Sequence, residues 1–443
     1  MKGKQLLSRF DFTMIVVGLV IGMGIFRTAA VSAKGAGEPG IFFAAWIAGG
    51  VIALCGALTY AEIGSRYPVT GGYYKIFAYA YHPSIAFAIN CIILISSAGA
   101  VSGVALIGAG YISQVLFAQP ASDLVKGTIA ISAIVLFYGV NLLGLKMSAK
   151  AQNVLMVVKL GMLGLLIVPL FIPSLHYAGG KGVASVSGGG DWVSHFGQAL
   201  VAVSFTYTGY QQTINFGNEV ERPSVNIPRS IFMGIAIIIS VYMLVNTSYY
   251  MVLGFEGMQQ QQEVAKGVAS RLLGETGGNV FSGLLFFSVL AYVNVYLLSN
   301  PRVMYAMSED KVLPAVFGKK TGKEVMIVSL TVFSAICVIT LLFARTFDQI
   351  LSFTIFLDSV GMATSAGALF ILRKRTKHLD GTGIYRIKWY PLVPLVFMLA
   401  YIFVAFSIIR QSPRTAGIGV LILLSFWAIY WGVRWLRPVK THS

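Results

Sequence analysis

The stretch Asp11–Lys34, DFTMIVVGLVIGMGIFRTAAVSAK, is an apolar helical run that is broken at its centre by Gly22-Met23-Gly24-Ile25-Phe26. Two glycines two positions apart destabilise a helix, since each costs roughly 1 kcal/mol relative to alanine. In a lipid bilayer, such a break persists only where protein or a water-filled cavity satisfies the freed N–H and C=O groups. The stretch therefore predicts a membrane helix whose open centre binds a charged small molecule.

Composition places the whole chain among membrane proteins. Of its 443 residues, 56% are hydrophobic and 11% are charged, with a mean hydropathy of +0.77. Soluble domains carry about 25% charged residues. Twelve apolar stretches reach the length of about 20 residues that a spanning helix needs. They are 11–36, 40–66, 83–117, 125–144, 150–172, 193–220, 229–255, 278–307, 325–344, 347–372, 390–410 and 415–436.

The sixth stretch contains a second candidate break. Its segment Ser204–Gln212 is dominated by hydroxyl, amide and glycine residues. The position of this segment within the span predicts that it lies near the middle of the bilayer. The first and sixth stretches each open a set of five helices, and breaks at corresponding places in two halves indicate a midplane site. An odd number of helices in each half makes the repeats inverted. The predicted division is 1–172 for helices 1–5, 173–372 for helices 6–10 and 373–443 for helices 11–12 and the tail.

The net charge of +17 is distributed as in a membrane protein. With the N-terminus inside, most of the 33 Lys and Arg residues fall on the cytoplasmic side, including the clusters at 319–323 and 373–377. Attraction to anionic lipid explains this bias without nucleic acid as a partner. We therefore expect a multi-pass protein of the cell inner (plasma) membrane, with both termini in the cytoplasm.

Cysteine and histidine usage indicates no metal site, cofactor or enzyme activity. Cys55, Cys91 and Cys337 lie inside predicted spans, where cysteine behaves as a small apolar residue. The outer loop 118–126 contains no cysteine, which predicts that no partner subunit is disulfide-linked there. The five histidines lack metal-ligand spacing, and Gly22–Gly24 lacks the third glycine and the acid of a dinucleotide site.

Two longer loops lie on the predicted outer side, 173–191 and 254–277. The second includes a run of four glutamines. Because surface loops are commonly solvated and variable, a solvated connector is the preferred interpretation of 254–277. The alternative is a short surface helix that covers the site.

Five motifs occur in order along the chain, and each is weak alone. They are Gly22-Met23-Gly24-Ile25-Phe26, Tyr60-Ala61-Glu62-Ile63-Gly64 with Pro68 and Gly71-Gly72, Glu219–Pro223 with Ile227-Pro228-Arg229, Arg302 with Ala306–Pro314, and Tyr385-Arg386 with Tyr390–Pro394. Together they resemble the amino acid–polyamine–organocation permeases from about 10 to 440, nearest to bacterial relatives of the L-type amino-acid transporters. The resemblance implies an all-α, polytopic LeuT-type fold of twelve transmembrane helices. Helices 1 and 6 are then the broken members of two inverted five-helix repeats, and amino acids are transported by alternating access.

The resemblance also implies which residues bind substrate. In such permeases a backbone nest in helix 1 holds the carboxylate, and carbonyls of both broken helices hold the ammonium. Gly22, Met23 and Gly24 then offer N–H groups at a helix N-terminus, while Ile21, Phe205 and Thr208 receive or flank the ammonium. Phe205 also matches the aromatic gate above the substrate, with ordinary helix packing as the alternative for Phe205 and Tyr207. The expected substrate-binding set is Ile21, Gly22, Met23, Gly24, Ile25, Phe205, Tyr207, Thr208 and Gly209.

Two departures from the family pattern bear on selectivity. Met23 stands where serine is frequent, and Thr208 replaces the first glycine of a Tyr-Gly-Gly-Trp sequence. The threonine narrows the space beside the substrate side chain. We therefore expect small to medium neutral L-amino acids rather than large aromatic ones.

Lys159 lies near the middle of the fifth span. A charge there costs at least roughly 2.5–3.5 kcal/mol, so it needs a carbonyl or carboxylate partner or must lose its proton. It matches a family lysine that occupies the place of a sodium ion against the first helix. Sodium-independent transport is the resulting hypothesis, and snorkelling to an interface is the alternative.

Four other ionisable residues are candidates for coupling or gating. Asp358, in the tenth span, either takes a coupling proton or pairs with a polar neighbour. Glu62, Glu219 and Arg302 lie near inner helix ends and are predicted to build a cytoplasmic gate. Exposed, solvated charges are the alternative for these three.

Several functions remain open at this stage. The leading prediction is a sodium-independent exchanger or proton-coupled symporter of neutral amino acids. A sodium-coupled symporter and a polyamine or cationic amino acid permease of the same fold are the main alternatives. A channel is less consistent with the sequence, because it would need a continuous polar file rather than two isolated breaks.

Overall fold

A computed structural model of the protein describes residues 6–117, 121–177, 192–261, 263–343, 347–380 and 383–436. This part of the chain is almost entirely helical, and its only β contacts are two isolated bridges. The α-helices are α1 Arg9–Val20, α2 Gly24–Ala36, α3 Pro39–Arg66, α4 Gly72–Ala80, α5 Pro83–Leu116, α6 Asp123–Leu142, α7 Leu145–Ile167, α8 Trp192–Tyr207, α9 Pro223–Gln260, α10 Val264–Ser299, α11 Pro301–Glu309, α12 Ile327–Phe343, α13 Phe347–Arg375, α14 Leu392–Gln411 and α15 Pro413–Leu436. The 3-10 helices are Val168–Phe171, Pro173–Leu175, Tyr210–Asn215, Gly217–Glu219, Ala315–Gly318 and Lys377–Leu379.

The first predicted span is broken at the position where its glycines predicted a break. α1 ends at Val20, and α2 begins at Gly24. Ile21 leaves the helical conformation with φ −73° and ψ 87°. α1 begins with a capping box in which the side chain of Ser8 accepts a hydrogen bond from the Asp11 backbone and the Asp11 carboxylate accepts one from Ser8. The capping box therefore defines the start of α1, and the C-terminus of α1 lies at the break.

The sixth span is broken as well. α8 ends at Tyr207, Gly209 adopts φ +117°, and the chain continues as the 3-10 helix Tyr210–Asn215. A Cβ on Gly209 would overlap the carbonyl of Leu19 in α1. Glycine is therefore required there both by its dihedral angle and by the close approach of the two broken helices.

Ten helical segments in the described chain are long and apolar enough to cross a membrane. The remaining two predicted spans correspond to α8, which the break shortens to 16 residues, and α12, with 17 residues. The broken helices lie inside the bundle: α1 packs against α7 and α9, and α2 packs against α8 and α9. All three cysteines are free.

The preferred interpretation of 254–277 as a solvated connector is wrong. Helix continues from a kink at Gly254 to Gln260, and α10 starts at Val264 with a second kink at Gly274. Val268 and Met258 are fully buried, because each short helix turns an apolar face onto the bundle. Of the loop 173–191, residues 178–191 lie outside the described chain.

One end of the bundle carries the termini of α3, α11 and α13 with their arginines, Arg66, Arg302 and Arg373. We call it the basic end. The other end, which carries the end of α2 and the start of α10, is called the opposite end. Contacts between distant parts of the chain join elements at each end: Tyr385 N–H donates to Ser65 at the basic end (2.9 Å), and Gln259 donates to the Ala33 carbonyl at the opposite end (3.1 Å).

Candidate functional site

The break in the first span leaves backbone N–H groups open at the start of α2. Gly22 N–H donates to the Val20 carbonyl (2.8 Å). Within the described chain, the N–H groups of Met23, Gly24 and Ile25 have no acceptor. Since the N-terminus of a helix carries partial positive charge, these three groups form a nest that favours a carboxylate. The structure therefore differs from the predicted nest by one residue, because the sharp turn after Val20 engages Gly22 and leaves Ile25 open.

Carbonyl groups of the second break lie beside this nest. A Cβ on Gly24 would lie 2.7 Å from Thr206 Oγ1, so the start of α2 touches the end of α8. The carbonyls of Tyr207 and Thr208 receive no hydrogen bond from the described residues. Free carbonyls at a helix C-terminus carry partial negative charge and favour an ammonium group. Groups that favour an anion and groups that favour a cation thus lie in neighbouring segments of the two broken helices.

Lys159 of α7 contacts the first break directly. Its Nζ donates to the Ile21 carbonyl at 2.5 Å, and its side chain is completely buried. Snorkelling to an interface, the alternative considered from the sequence, is therefore wrong. The ammonium group instead holds a carbonyl that the helix break has released, as a bound cation would.

Two tyrosines at the breaks were not recognised from the sequence. Tyr242 of α9 points its hydroxyl at the carbonyls of Thr206 (3.2 Å) and Val20 (3.5 Å), which are the ends of both broken helices. Tyr292 of α10 stacks on Tyr296 with ring centroids 4.3 Å apart. A Cβ on Gly22 would lie 2.9 Å from the Tyr292 ring. Both tyrosines lie in apolar helices away from any kink, so no local pattern distinguished them from ordinary core aromatics.

The predicted side chains of the sixth span point in different directions. Tyr207 packs in an aromatic cluster with Trp46 and Tyr242, at centroid distances of 6.0 and 5.1 Å. Thr208 turns its hydroxyl back to the Phe205 carbonyl (2.9 Å). Phe205 itself is only partly buried, and it packs against an apolar cluster with members in α5, α8, α13, α14 and α15.

A polar layer lies one turn beyond the second break. Gln212 Nε2 donates to Ser97 of α5 at 3.0 Å. The neighbouring Ser96 donates to Asp358 of α13 at 2.8 Å. Of the two roles considered for Asp358, pairing with a polar neighbour is therefore present in the structure. Neither serine nor Gln212 was among the predicted site residues.

α7 and α10 brace the first span from the side. Asn153 donates to Asp11 (2.6 Å), and Asn294 bridges to Asn141 and Gln152, each at 2.9 Å. Side-chain amide bridges of this kind hold adjacent membrane helices together. A Cβ on Gly18 would overlap the Gln152 amide, so α7 approaches the backbone of α1 closely at this point.

Glu219 and Arg302 pair at the basic end. Arg302 Nε and Nη2 donate to Glu219 Oε2 at 2.9 and 2.5 Å, and the guanidinium lies 4.4 Å from the centre of the Phe216 ring. Leu7 N–H donates to the Glu219 carbonyl (2.7 Å), which ties the segment before α1 to the end of the second broken helix. Both charged side chains are buried, so the alternative of solvated charges is wrong for this pair.

Glu62 belongs to a separate cluster. It accepts hydrogen bonds from Arg66 Nε (2.7 Å), from Arg373 Nη2 (2.6 Å) and from the Ile387 N–H (2.8 Å), and it is fully buried. Arg66 also donates to Asp380 (2.8 Å), and this hydrogen bond holds the pKa of the Asp380 carboxyl below its usual range. The three predicted gate residues are thus divided between two clusters. The spacing of Glu62 and Arg66, four residues apart on one helix, was a signal for their pairing.

These elements define a class of protein. A membrane bundle with two interior helices that break at the same depth, and whose open backbone groups carry opposite partial charges, is the architecture of a secondary transporter. The chain matches the family described as "Amino acid permease" over residues 7–433 and belongs to that family. Its fold is accordingly of the LeuT type, and its function is membrane transport of amino acids rather than enzymatic catalysis.

Individual relatives are distant but cover most of the chain. The Serine/threonine exchanger SteT of Bacillus subtilis (strain 168) is 27% identical over 429 residues, covering 95% of this chain and 94% of the relative. The human Large neutral amino acids transporter small subunit 2 is 25% identical over 453 residues, with coverages of 97% and 80%. The human Cystine/glutamate transporter is 25% identical over 417 residues, with coverages of 93% and 81%.

Proposed function

We propose that this permease moves small to medium neutral L-amino acids by alternating access, without sodium, as an exchanger or a proton-coupled symporter. The observation that carries the proposal is the close approach of Gly24 to Thr206, which brings the open N–H groups at Met23–Ile25 near the open carbonyls at Tyr207 and Thr208. The two sets match the carboxylate and the ammonium of one zwitterion. A backbone site of this kind selects α-amino acids as a class and leaves the choice of side chain to the pocket wall.

Independence from sodium rests on Lys159. Its ammonium group already occupies the Ile21 carbonyl, so a metal ion there would meet a like charge at close range. Protonation and deprotonation of this amine would tighten and loosen the first helix in turn. The competing sodium-coupled mechanism would need the Ile21 carbonyl to be free to bind the ion.

Two side chains favour small and medium substrates. Met23 is buried at the turn between α1 and α2, and Thr208 is held against the Phe205 carbonyl at the end of α8. A polyamine or cationic substrate would bring a second positive charge close to Lys159. Neutral amino acids avoid this repulsion.

The proposal is tested with purified protein in liposomes. Twenty labelled amino acids are screened for uptake, with and without unlabelled amino acid inside and with and without a pH gradient. We expect uptake of small neutral substrates, stimulated either by internal amino acid or by the gradient. Uptake confined to cationic amino acids or polyamines would contradict the proposal, and so would passive flow that does not saturate, which is expected of a channel.

Placement in the membrane is part of the proposal. We propose a plasma-membrane protein with the basic end in the cytoplasm, because the positive-inside bias supports that orientation. One relative is named a small subunit, and this name describes that relative as part of a larger assembly. For this chain we propose no disulfide-linked subunit, since the loop 118–126 has no cysteine. The repeat boundaries at 172 and 372 remain predictions.

A further inference from the structure

A buried acceptor without a donor lies next to the proposed site. Gln212 Oε1 has no hydrogen-bond partner in the described chain, although the side chain is only 3% exposed. Leaving such an oxygen unpaired in a buried place costs about 1–3 kcal/mol. We therefore expect its hydrogen-bond donor to belong to a ligand that binds and dissociates.

The side chain of Gln212 is held in a fixed orientation. Its Nε2 donates to Ser97 at 3.0 Å, and its backbone N–H donates to the Gly209 carbonyl at 3.0 Å. The amide thus belongs to the first turn after the break, and within the described chain its oxygen accepts no hydrogen bond. Gln211, next to it, is engaged differently, because its Oε1 accepts from Gly209 N–H at 2.7 Å.

We infer that Gln212 reads the side chain of the substrate by accepting a hydrogen bond from it. This inference rests on the proposed function and narrows it to neutral amino acids whose side chain carries an O–H or N–H donor, such as a hydroxyl or a carboxamide. The backbone nest holds the α-carboxylate and α-ammonium of every amino acid alike. Gln212, one turn along the same broken helix, adds the distinction between a donor side chain and an apolar side chain of equal shape.

The expected preference for a donor side chain over an apolar one can be given as a ratio of uptake. A site built around a hydrogen-bonding group discriminates against an analogue that lacks the partner, because the buried group is then left unpaired. One neutral hydrogen bond of this kind predicts a preference of about tenfold for threonine over isosteric valine, and for asparagine over leucine. Gln212→Met removes the acceptor at nearly constant volume and is expected to reduce both ratios to near one, with valine uptake unchanged or raised. Gln212→Glu keeps an acceptor oxygen and is expected to keep the preference.

A matched control is available in α9. Asn246 is also a buried amide whose Oδ1 has no partner, and its Nδ2 donates to the Tyr242 carbonyl (2.8 Å), but it lies within an unbroken helix. Asn246→Leu is expected to lower stability without changing the ratio of threonine to valine uptake. A purely structural role for Gln212 would give the same result for Gln212→Met.

The experiment measures kcat/KM for threonine, valine and O-methylthreonine in liposomes containing the wild-type protein and each variant. O-Methylthreonine keeps the oxygen and loses the donor, so wild-type uptake is expected to fall with it toward the valine value. This wild-type series can overturn the inference even if Gln212→Met fails to fold. Equal kcat/KM values for threonine and valine in the wild type would overturn it, as would an unchanged ratio in Gln212→Met. Failure of the wild type to transport either substrate would instead count against the proposed function, and the inference would fall with it.

Discussion

At the scale of single residues, Lys159 has the largest predicted effect. Lys159→Met keeps the length of the side chain and removes the charge that holds the Ile21 carbonyl. A hydrogen bond to a charged group contributes about 1.5–3 kcal/mol, so we expect uptake to fall by about tenfold or more. Lys150→Met is the control, because Lys150 lies on the same helix and is exposed. Uptake equal to wild type in Lys159→Met liposomes would show that the contact has no role.

Thr208 is predicted to limit substrate size. Thr208→Gly removes a side chain whose hydroxyl, among the described residues, bonds only to the Phe205 carbonyl in the last turn of α8. The added space should raise phenylalanine uptake relative to alanine by about tenfold, since one or two methylene groups of room are worth that much. Thr208→Ser, which keeps the hydroxyl and most of the volume, should leave the ratio near the wild-type value. If both variants behave alike, pocket size is set elsewhere.

The sequence predicts residues whose chemistry is unusual for their location. Lys159 stands out because a charge at mid-span is rare, and Gly22–Gly24 because paired glycines interrupt an apolar run. Tyr242 and Gln212 could not be assigned in the same way. The role of Tyr242 depends on which helix faces it, and that of Gln212 on one free atom of an amide, which are properties of the folded chain.

At the scale of elements, the contact between the two broken helices is the critical one. Gly209→Ala places a Cβ against the Leu19 carbonyl and forces a left-handed dihedral angle on alanine, which costs roughly 1–2 kcal/mol. We expect loss of transport and a Tm lower by a few degrees. Gly164→Ala, in α7 with open space around it, should leave transport intact and Tm unchanged or raised. Equal behaviour of the two variants would mean that the helix contact is not constrained.

Element boundaries were predictable where glycine or composition marked them and less so elsewhere. Both breaks were found from glycine and polar residues in apolar spans. For 254–277, a helix was only the alternative interpretation, because surface loops are commonly solvated and variable. The apolar spacing of Val264, Ala265, Val268 and Ala269, all buried, contained the contrary signal.

At the scale of the whole molecule, the buried pair of Glu219 and Arg302 is expected to keep the basic end closed. Glu219→Gln leaves a buried guanidinium without its counter-charge, a change that typically costs about 3–5 kcal/mol. The basic end should then open more often. Alkylation of Thr70→Cys, at a position that pairs with Phe216 and is 6% exposed, should become several-fold faster than in a background with Glu219 intact.

A second ion pair at the same end provides the control for that experiment. Arg386→Met breaks the partly exposed pair with Asp380 and should leave the alkylation rate unchanged. An unchanged rate in Glu219→Gln, with the protein still monodisperse, would show that the pair does not control access.

The central claim is that an amino-acid permease built on two broken helices uses the Lys159 ammonium in place of a sodium ion. Its most direct test is the initial rate of uptake of one labelled neutral amino acid into wild-type liposomes at fixed pH, as external sodium is replaced stepwise by choline. We predict a rate that is independent of sodium concentration. A rate that rises steeply and saturates with sodium would contradict the claim.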